Sequence, residues 1–177
     1  MVDVLLDGNQ LLKLAGNDAI IKSYPELYNY DSVEDLFSGG INKIIILYLN
    51  EKDGNSMSGH WCLLTKYKNI VDFFDPYGLM PDSEIDWNSK EDRIKLNQNK
   101  RYLTKLLYNY DGKVNYNEMR FQKKDKNINT CGRHTGLRAH FYKIPLTKYQ
   151  NMFKKMREKG FDLDRLAVYI SNMFLEE

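Results

Sequence analysis

Short runs of apolar residues in the middle of the chain predict a β-sheet. Residues 43–49 are rich in β-branched and large apolar side chains, and similar runs follow over residues 60–67 and 69–74. Only a tight turn at Lys68 separates the last two runs. Turns this short join antiparallel strands. We therefore predict an antiparallel meander, with a polar turn over residues 50–55 between its first two strands.

Helical patterns surround this predicted sheet. Residues 1–40 combine irregular chain with short helical patterns, including a capped helix start at Ser32. After the sheet, the pattern predicts a loop over residues 79–90, one helix over residues 93–110, a short strand over residues 113–116, and helices that begin at Cys131, Thr147 and Asp162, the second of them with a capping box. This order of elements predicts an α+β fold with a central, mostly antiparallel sheet flanked by helices.

The length of the chain fits one domain over residues 1–177. Apolar residues make up 42% of the sequence, which is enough for an ordinary buried core. We divide the predicted domain into a helical N-terminal part (1–40), a sheet part (41–78) and a mainly helical part (91–177).

Charge and cysteine content narrow the function classes. The formal net charge is +2 on a background of 28% charged residues, which does not by itself indicate nucleic-acid binding. Two cysteines cannot form the disulfide framework of a small secreted domain. The first residues lack the apolar run of a signal peptide, and no stretch is long enough to span a membrane. We expect a soluble protein in a reducing compartment, neither secreted nor membrane-bound.

Cys131 is the candidate nucleophile. It lies between Thr130 and Gly132, where an irregular loop is predicted to become a helix. A helix N-terminus stabilises a thiolate, which is the reactive form of cysteine. Gly132 would let a substrate backbone come close. Cys62 is the rival thiol, but it lies in mid-strand without a helix dipole, so we expect it in the core.

Three histidines are candidates for the base that such a nucleophile requires. His60 follows Gly59 at the head of a predicted strand. His134 is one helical turn beyond Cys131, where it would leave little room for a substrate. His140 lies in mid-helix, and we expect it on the surface. This comparison favours His60 as the general base.

Asp75 is the candidate residue that orients His60. His60 lies seven residues before Tyr67, and Asp75 lies seven residues after Lys68, so a tight turn between them makes the two near cross-strand neighbours. Asp72 is the alternative, but it should point to the opposite face of the sheet. Acyl transfer also needs donors for an oxyanion. The Cys131 N–H is one candidate donor, and the side-chain amide of Gln122 is the other.

The order His, Asp, Gln, Cys resembles that of the adenain-type cysteine proteases and the related proteases of ubiquitin-like modifiers. The matching segments are Gly59-His60-Trp61, Phe74-Asp75-Pro76-Tyr77-Gly78, Gln122 and Thr130-Cys131-Gly132-Arg133-His134. The resemblance covers about residues 40–142. Within it, the stretch from Tyr116 to His134 is most similar to proteases of virophages, polinton-like elements and large DNA viruses. Gln122 lies nine positions before Cys131, which is a longer spacing than in the cellular relatives.

The resemblance implies a papain-like fold and a thiol protease that needs neither a metal nor another cofactor. It assigns Cys131 as nucleophile, His60 as base, Asp75 as orienter and Gln122 as oxyanion donor, with Trp61 and Gly132 beside the substrate. The viral relatives process capsid and core precursors during virion maturation, which implies such precursors as substrates in the virion and in the viral factory of the host cytoplasm. Adenoviral relatives are activated by DNA or a peptide, and the sequence leaves both open for this chain.

Three other interpretations compete with this one. The same chemistry could act on ubiquitin-like modifiers, although the chain is short for the extra surface that such enzymes carry. A protease fold could also serve as a binding module without catalysis, but all four catalytic residue types are present. A metal site built from Cys131, His134 and His60 is the third, and a Cys-x-x-His pair is weak support for it.

Overall fold

The computed structural model describes residues 5–52 and 56–176. A five-stranded sheet lies at its centre, with its strands in chain order from one edge to the other. The strands are β1 Ala19–Ser23, β2 Lys43–Lys52, β3 Ser56–Tyr67, β4 Ile70–Phe74 and β5 Lys113–Tyr116. The predicted α+β class is therefore confirmed. The polar turn expected over residues 50–55 and the N-terminal start lie partly outside the described residues.

The sheet is mixed, so the expectation of a mostly antiparallel sheet is confirmed only for its three central strands. The pairings β2–β3 and β3–β4 form the predicted antiparallel meander. The outer strands β1 and β5 instead pair in parallel with β2 and β4. Parallel neighbours need a long crossover connection, which residues 24–42 and 75–112 supply. The strand β1 lies in the part expected to be helical and irregular. It was not predicted, because its two isoleucines do not distinguish a strand from a helix.

Helices cover the sheet. They are α1 Gly8–Ala15, α2 Val33–Leu36, α3 Lys90–Lys95, α4 Tyr102–Tyr108, α5 Cys131–His140, α6 Leu146–Glu158 and α7 Leu163–Leu175, with 3-10 helices at Tyr24–Asn29 and Ser83–Trp87. The predicted cap at Ser32 is confirmed, because its side chain accepts from the Asp35 N–H. Within residues 5–52 and 56–176, no helix is both long and apolar enough to cross a membrane.

Three predicted details of the helical segments are wrong. The single helix expected over residues 93–110 is broken between α3 and α4, where Asn97 adopts a left-handed φ of 54°. The expected loop over residues 79–90 contains a 3-10 helix. The capping box expected at Thr147 is absent, and α6 instead begins after Pro145, which occupies the N-cap position.

Alternate residues of the central strands enter two separate hydrophobic clusters, one on each face of the sheet. Ile44 and Ile46 pack on one face, together with α2, α4 and Cys62. Ile45 and Leu63 pack on the other face, against α1, α5, α6 and α7. This period of two places each side chain on one face of the sheet.

Helix α5 is buried from Cys131 to Ala139. Its Gly136 faces α1 so closely that a Cβ there would lie 2.5 Å from a Leu14 methyl carbon, so a larger residue would force the buried Leu14 side chain to shift. Arg138, which is fully buried, donates to Asp72 of β4 over 3.0 Å. The helix is therefore fixed on one face of the sheet by close packing and by an ion pair.

Asp72→Ala is expected to destabilise the protein by about 3–5 kcal/mol, because it leaves the buried Arg138 guanidinium without its carboxylate. Asp86→Ala is the matched control. Asp86 pairs with Arg93 and Arg101 on the surface, and its loss should cost less than about 1 kcal/mol. Urea unfolding of both variants measures the difference, and equal free energies of unfolding would contradict this account of α5.

Candidate active site

Cys131 is the first residue of α5, as the sequence predicts. Its side chain is buried, and burial alone would raise the pKa of the thiol. A hydrogen bond and charge attraction from His60, together with backbone hydrogen bonds from Trp61 and Gly132, outweigh burial and lower the pKa of Cys131 below its ordinary value. The N-terminal end of a ten-residue helix favours the thiolate in the same direction.

His60 lies between Cys131 and Asp75. The imidazole lies on β3, and its Nε2 is 3.0 Å from Oδ1 of Asp75. Because Nε2 is engaged by Asp75, Nδ1 is the ring nitrogen left for the Cys131 sulfur. The Tyr77 ring stacks on the imidazole with a centroid separation of 4.8 Å and an interplanar angle of 14°. His60 therefore has a fixed ring plane and a distinct partner for each nitrogen.

The strand register brings Asp75 to His60. The last pair between β3 and β4 joins Leu63 to Phe74. Asp75 follows at the next position, beside Cys62, and His60 lies two residues further along the same face of β3. Asp72 points to the opposite face, where it binds Arg138, as the alternation of the strand predicts. Of the two candidate orienters, the structure brings only Asp75 to His60.

Backbone contacts hold the Asp75 carboxylate in place. Its Oδ1 accepts the Tyr77 N–H over 2.7 Å, within a turn that closes from the Gly78 N–H to the Asp75 carbonyl. Gly78 has a φ of 72°, which favours glycine. Asn117 clamps the Asp75 backbone, accepting from its N–H over 2.8 Å and donating to its carbonyl over 2.6 Å.

Cys62 and Glu84 lie against the pair formed by His60 and Asp75. The Cys62 thiol is 3.7 Å from Oδ2 of Asp75 and 3.8 Å from Oε1 of Glu84. Burial raises the pKa of Cys62 well above its ordinary value, and the neighbouring carboxylates raise it further. Cys62 is therefore a protonated core thiol, in the position that the sequence predicts for it.

His60, Cys62, Asp75 and Glu84 present donor atoms within 4.8 Å of one another, a spacing that could also suit a metal ion. We assign these side chains hydrogen-bonding roles instead. A metal ion among these atoms would take the Nε2 of His60, and so replace the direct contact of 3.0 Å between this nitrogen and Oδ1 of Asp75.

Gln122 lies on a loop that is tied to the Asp75 turn. The N–H groups of Phe121 and Gln122 both donate to the Pro76 carbonyl, over 2.9 and 3.0 Å. The Gln122 side chain is 2% exposed, and its Nε2 donates to the Ile128 carbonyl over 2.9 Å. One N–H of this amide suffices for that bond, so the second is available to another acceptor.

Trp61 and Gly132 are neighbours. A Cβ at Gly132 would lie 3.4 Å from Cδ1 of Trp61 and 3.6 Å from Cβ of Leu6. The indole therefore forms a wall beside the first turn of α5. Gly59 is tightly constrained, because a Cβ there would meet the Tyr48 carbonyl at 2.8 Å, and this explains the glycine before His60.

The two rival histidines are engaged elsewhere. Nε2 of His134 is 3.1 Å from Oδ1 of Asp164, in a buried cluster with Thr130. His140 is the exposed last residue of α5, not a mid-helix one, and its Nδ1 is 3.0 Å from the Leu14 carbonyl. The alternative metal set of Cys131, His134 and His60 is not assembled, because His134 binds Asp164.

A comparison with curated proteins finds a relative in a virus. The chain is 36% identical over 154 residues to a protein of Sputnik virophage named "Uncharacterized protein V9", and the match covers 86% of this chain and 85% of that protein. The chain belongs to the family of this virophage protein. No family model matches the chain, and no solved structure matches it.

The candidate site of this chain includes supporting residues that the sequence does not reveal. Glu84 lies in a segment expected to be a loop, and no pattern marks it as buried. Tyr77 and Asn117 fall within segments that carry the resemblance, but nothing local distinguishes a ring that stacks on His60 or an amide that clamps Asp75. Only the tertiary contacts assign roles to these three residues.

A cavity of about 460 Å³ opens beside Gln122. Phe121, Gln122 and Phe161 contribute to its wall, and its basic lining residues are Arg120, Lys123, Lys124 and Arg157. Lys123 is paired with Asp162. This recess adjoins Gln122 and is large enough for peptide side chains, but Cys131, His60 and Asp75 do not line it.

Iodoacetamide is expected to label Cys131 in the native protein and Cys62 only after unfolding. The lowered pKa of Cys131 increases the fraction of its thiolate at a given pH, whereas burial raises the pKa of Cys62. Peptide mapping by mass spectrometry, with and without denaturant, measures both rates. Preferential labelling of Cys62 in the native protein would refute this assignment of the two thiols.

Proposed function

We propose that this chain is a cysteine endopeptidase that cleaves viral capsid or core precursor proteins during virion maturation. One observation carries the proposal. The Cys131 thiol, at the N-terminus of α5, lies beside His60, which lowers the pKa of the thiol, and the Nε2 of His60 is 3.0 Å from Asp75. A nucleophile, a base and an orienting acid in this connection are the parts that covalent acyl transfer needs.

Each residue has a separate part in the proposed reaction. The Cys131 thiolate attacks the carbonyl carbon of the scissile peptide, and a carbon–sulfur bond forms. Protonated His60 gives its proton to the amide nitrogen as the carbon–nitrogen bond breaks. His60 then removes a proton from water, which attacks the thioester and releases the acid product and the thiol. Asp75 keeps the imidazole in the orientation that both steps use.

Gln122 and the backbone N–H of Cys131 form the proposed oxyanion hole. The buried amide of Gln122 uses one N–H for the Ile128 carbonyl, which fixes its plane and leaves the other N–H free to donate. Preorganised donors of this kind stabilise the charge that develops on the carbonyl oxygen.

The proposed setting combines the relationship to a virophage protein with the form of the site. We propose an adenain-type, papain-like fold, supported by the order His60, Asp75, Gln122, Cys131 and by a nucleophile helix packed on the sheet. The enzyme would act in virions and in the viral factory of the host cytoplasm. The Trp61 wall beside Gly132 supports a narrow cleft that favours small residues, such as glycine, next to the cut.

Incubation with the capsid and core proteins of the same virus is expected to release fragments with defined new termini, which terminal sequencing identifies. The Cys131→Ala variant should lose turnover by up to about a millionfold, the scale for removing a nucleophile. The assay is run with and without DNA, since relatives are activated by it. Rapid labelling by a reactive ubiquitin-like modifier, without cleavage of any capsid or core protein, would favour a modifier protease instead.

Gln122→Ala is expected to lower kcat by about a hundred- to a thousandfold, the range for losing one oxyanion donor. Labelling of Cys131 by iodoacetamide should hardly change, because the thiolate does not depend on this amide. Gln98→Ala is the matched control, since Gln98 is also a buried glutamine but bonds to Leu49 of β2. Wild-type turnover in Gln122→Ala would show that another group fills the oxyanion hole.

A further inference from the structure

Glu84 is a fully buried acid that lies against His60 and Asp75 of the proposed catalytic site. It lies in the 3-10 helix Ser83–Trp87, and its carboxyl is hydrogen-bonded to Asp75. Its Oε1 is 3.8 Å from Nε2 of His60 and 3.8 Å from the Cys62 sulfur. Its Oε2 is also buried, and no donor of the described residues reaches it. The reaction described above does not use this side chain.

Two carboxylates in contact, both removed from water, cannot both be ionised. Burial, followed by the hydrogen bond and the charge of Asp75, raises the pKa of Glu84 to about 10. Burial also raises the pKa of Asp75, but the donors around Asp75 oppose this shift. Glu84 is therefore the acid of the pair that keeps a proton at neutral pH.

The hydrogen bonds require the same arrangement. Asp75 faces His60, the Tyr77 N–H and the Cys62 thiol, all of which can donate to a carboxylate. Glu84 as an anion would leave Oε2 buried without a partner, which is more costly for a charged group than for a neutral one. A proton on Glu84 makes its carboxyl a donor, and the carboxylate of Asp75 is the acceptor that interacts with it.

We propose that Glu84 is a positioning residue, a neutral acid that donates a hydrogen bond to Asp75 and holds this carboxylate in the orientation that binds His60. The inference rests on the proposed cysteine protease reaction. Glu84 touches neither Cys131 nor a substrate in this role. It acts through Asp75, which acts through His60.

The substitution Glu84→Gln separates this role from simple packing. Glutamine has nearly the same size and keeps a donor for Asp75, but it cannot ionise. Leucine in Glu84→Leu fills similar space and donates nothing. Asp86→Asn is the matched control, because Asp86 lies in the same 3-10 helix but is half exposed. Thermal unfolding and circular dichroism show which variants are folded.

Two readouts are needed. The first is the NMR signal of the ring N–H that His60 directs at Asp75, which does not depend on turnover. It should be the same in wild type, Glu84→Gln and Asp86→Asn, and should shift or broaden in Glu84→Leu. The second is turnover of a precursor substrate. Glu84→Leu should lower kcat by about a hundredfold with little change in KM, the scale for a small misplacement of a catalytic group.

The outcomes are distinct. A Glu84→Gln variant that is folded but as impaired as Glu84→Leu would overturn the proposal, as would a folded Glu84→Leu variant with the wild-type NMR signal and kcat. If Glu84→Leu does not fold, Glu84→Gln is compared with wild type. A wild-type NMR signal and kcat would support the proposal, and a folded but impaired Glu84→Gln variant would overturn it. If the wild-type protein cleaves no substrate, the proposed function fails. The NMR signal of the His60 ring N–H then still shows whether Glu84 orders the pair of His60 and Asp75.

Discussion

The burial of α5 against one face of the sheet is the constraint on which the rest of the site depends. Gly136 allows α1 to approach without a side chain between them, and the Arg138–Asp72 pair ties the other end of the helix to β4. With the helix fixed at these points, its first residue, Cys131, lies beside His60 of β3. The packing of this helix thus helps to set the position of the thiol.

The electrostatics of the site follow from its burial. A buried thiol and buried carboxyls are each costly to ionise, so the charges that do form must be paired. Cys131 has the His60 ring and a helix N-terminus, whereas the polar contacts of Cys62, two residues along the same strand as His60, are with the carboxyl groups of Asp75 and Glu84. Two buried cysteines therefore have opposite pKa shifts. The difference between them comes from their partners, because both are almost fully buried.

The central part of the site could be predicted from the sequence because it depends on local periodicity. Counting outward from the turn at Lys68 placed Asp75 near His60. The actual register is shifted by two residues, with Asp75 beside Cys62, and a shift of two leaves both side chains on the same face. The start of α5 at Cys131 was likewise visible as a change from loop to helix.

The supporting residues could not be predicted, because their roles arise from contacts between distant segments. Glu84 is buried by the way that the crossover from β4 to β5 folds over the sheet, and Asn117 reaches Asp75 across 42 positions of the chain. The strand β1 was missed for a similar reason, since pairing with β2 selects the extended conformation. Local patterns carry no information about such pairings.

The activation of Cys131 by His60 can be measured through the thiolate absorbance of Cys131 as a function of pH. In a Cys62→Ser background, we expect the apparent pKa of Cys131 to lie below that of a free thiol. The substitution His60→Ala should raise this pKa above that of a free thiol, because burial is then unopposed. The same apparent pKa with and without His60 would show that His60 does not activate Cys131.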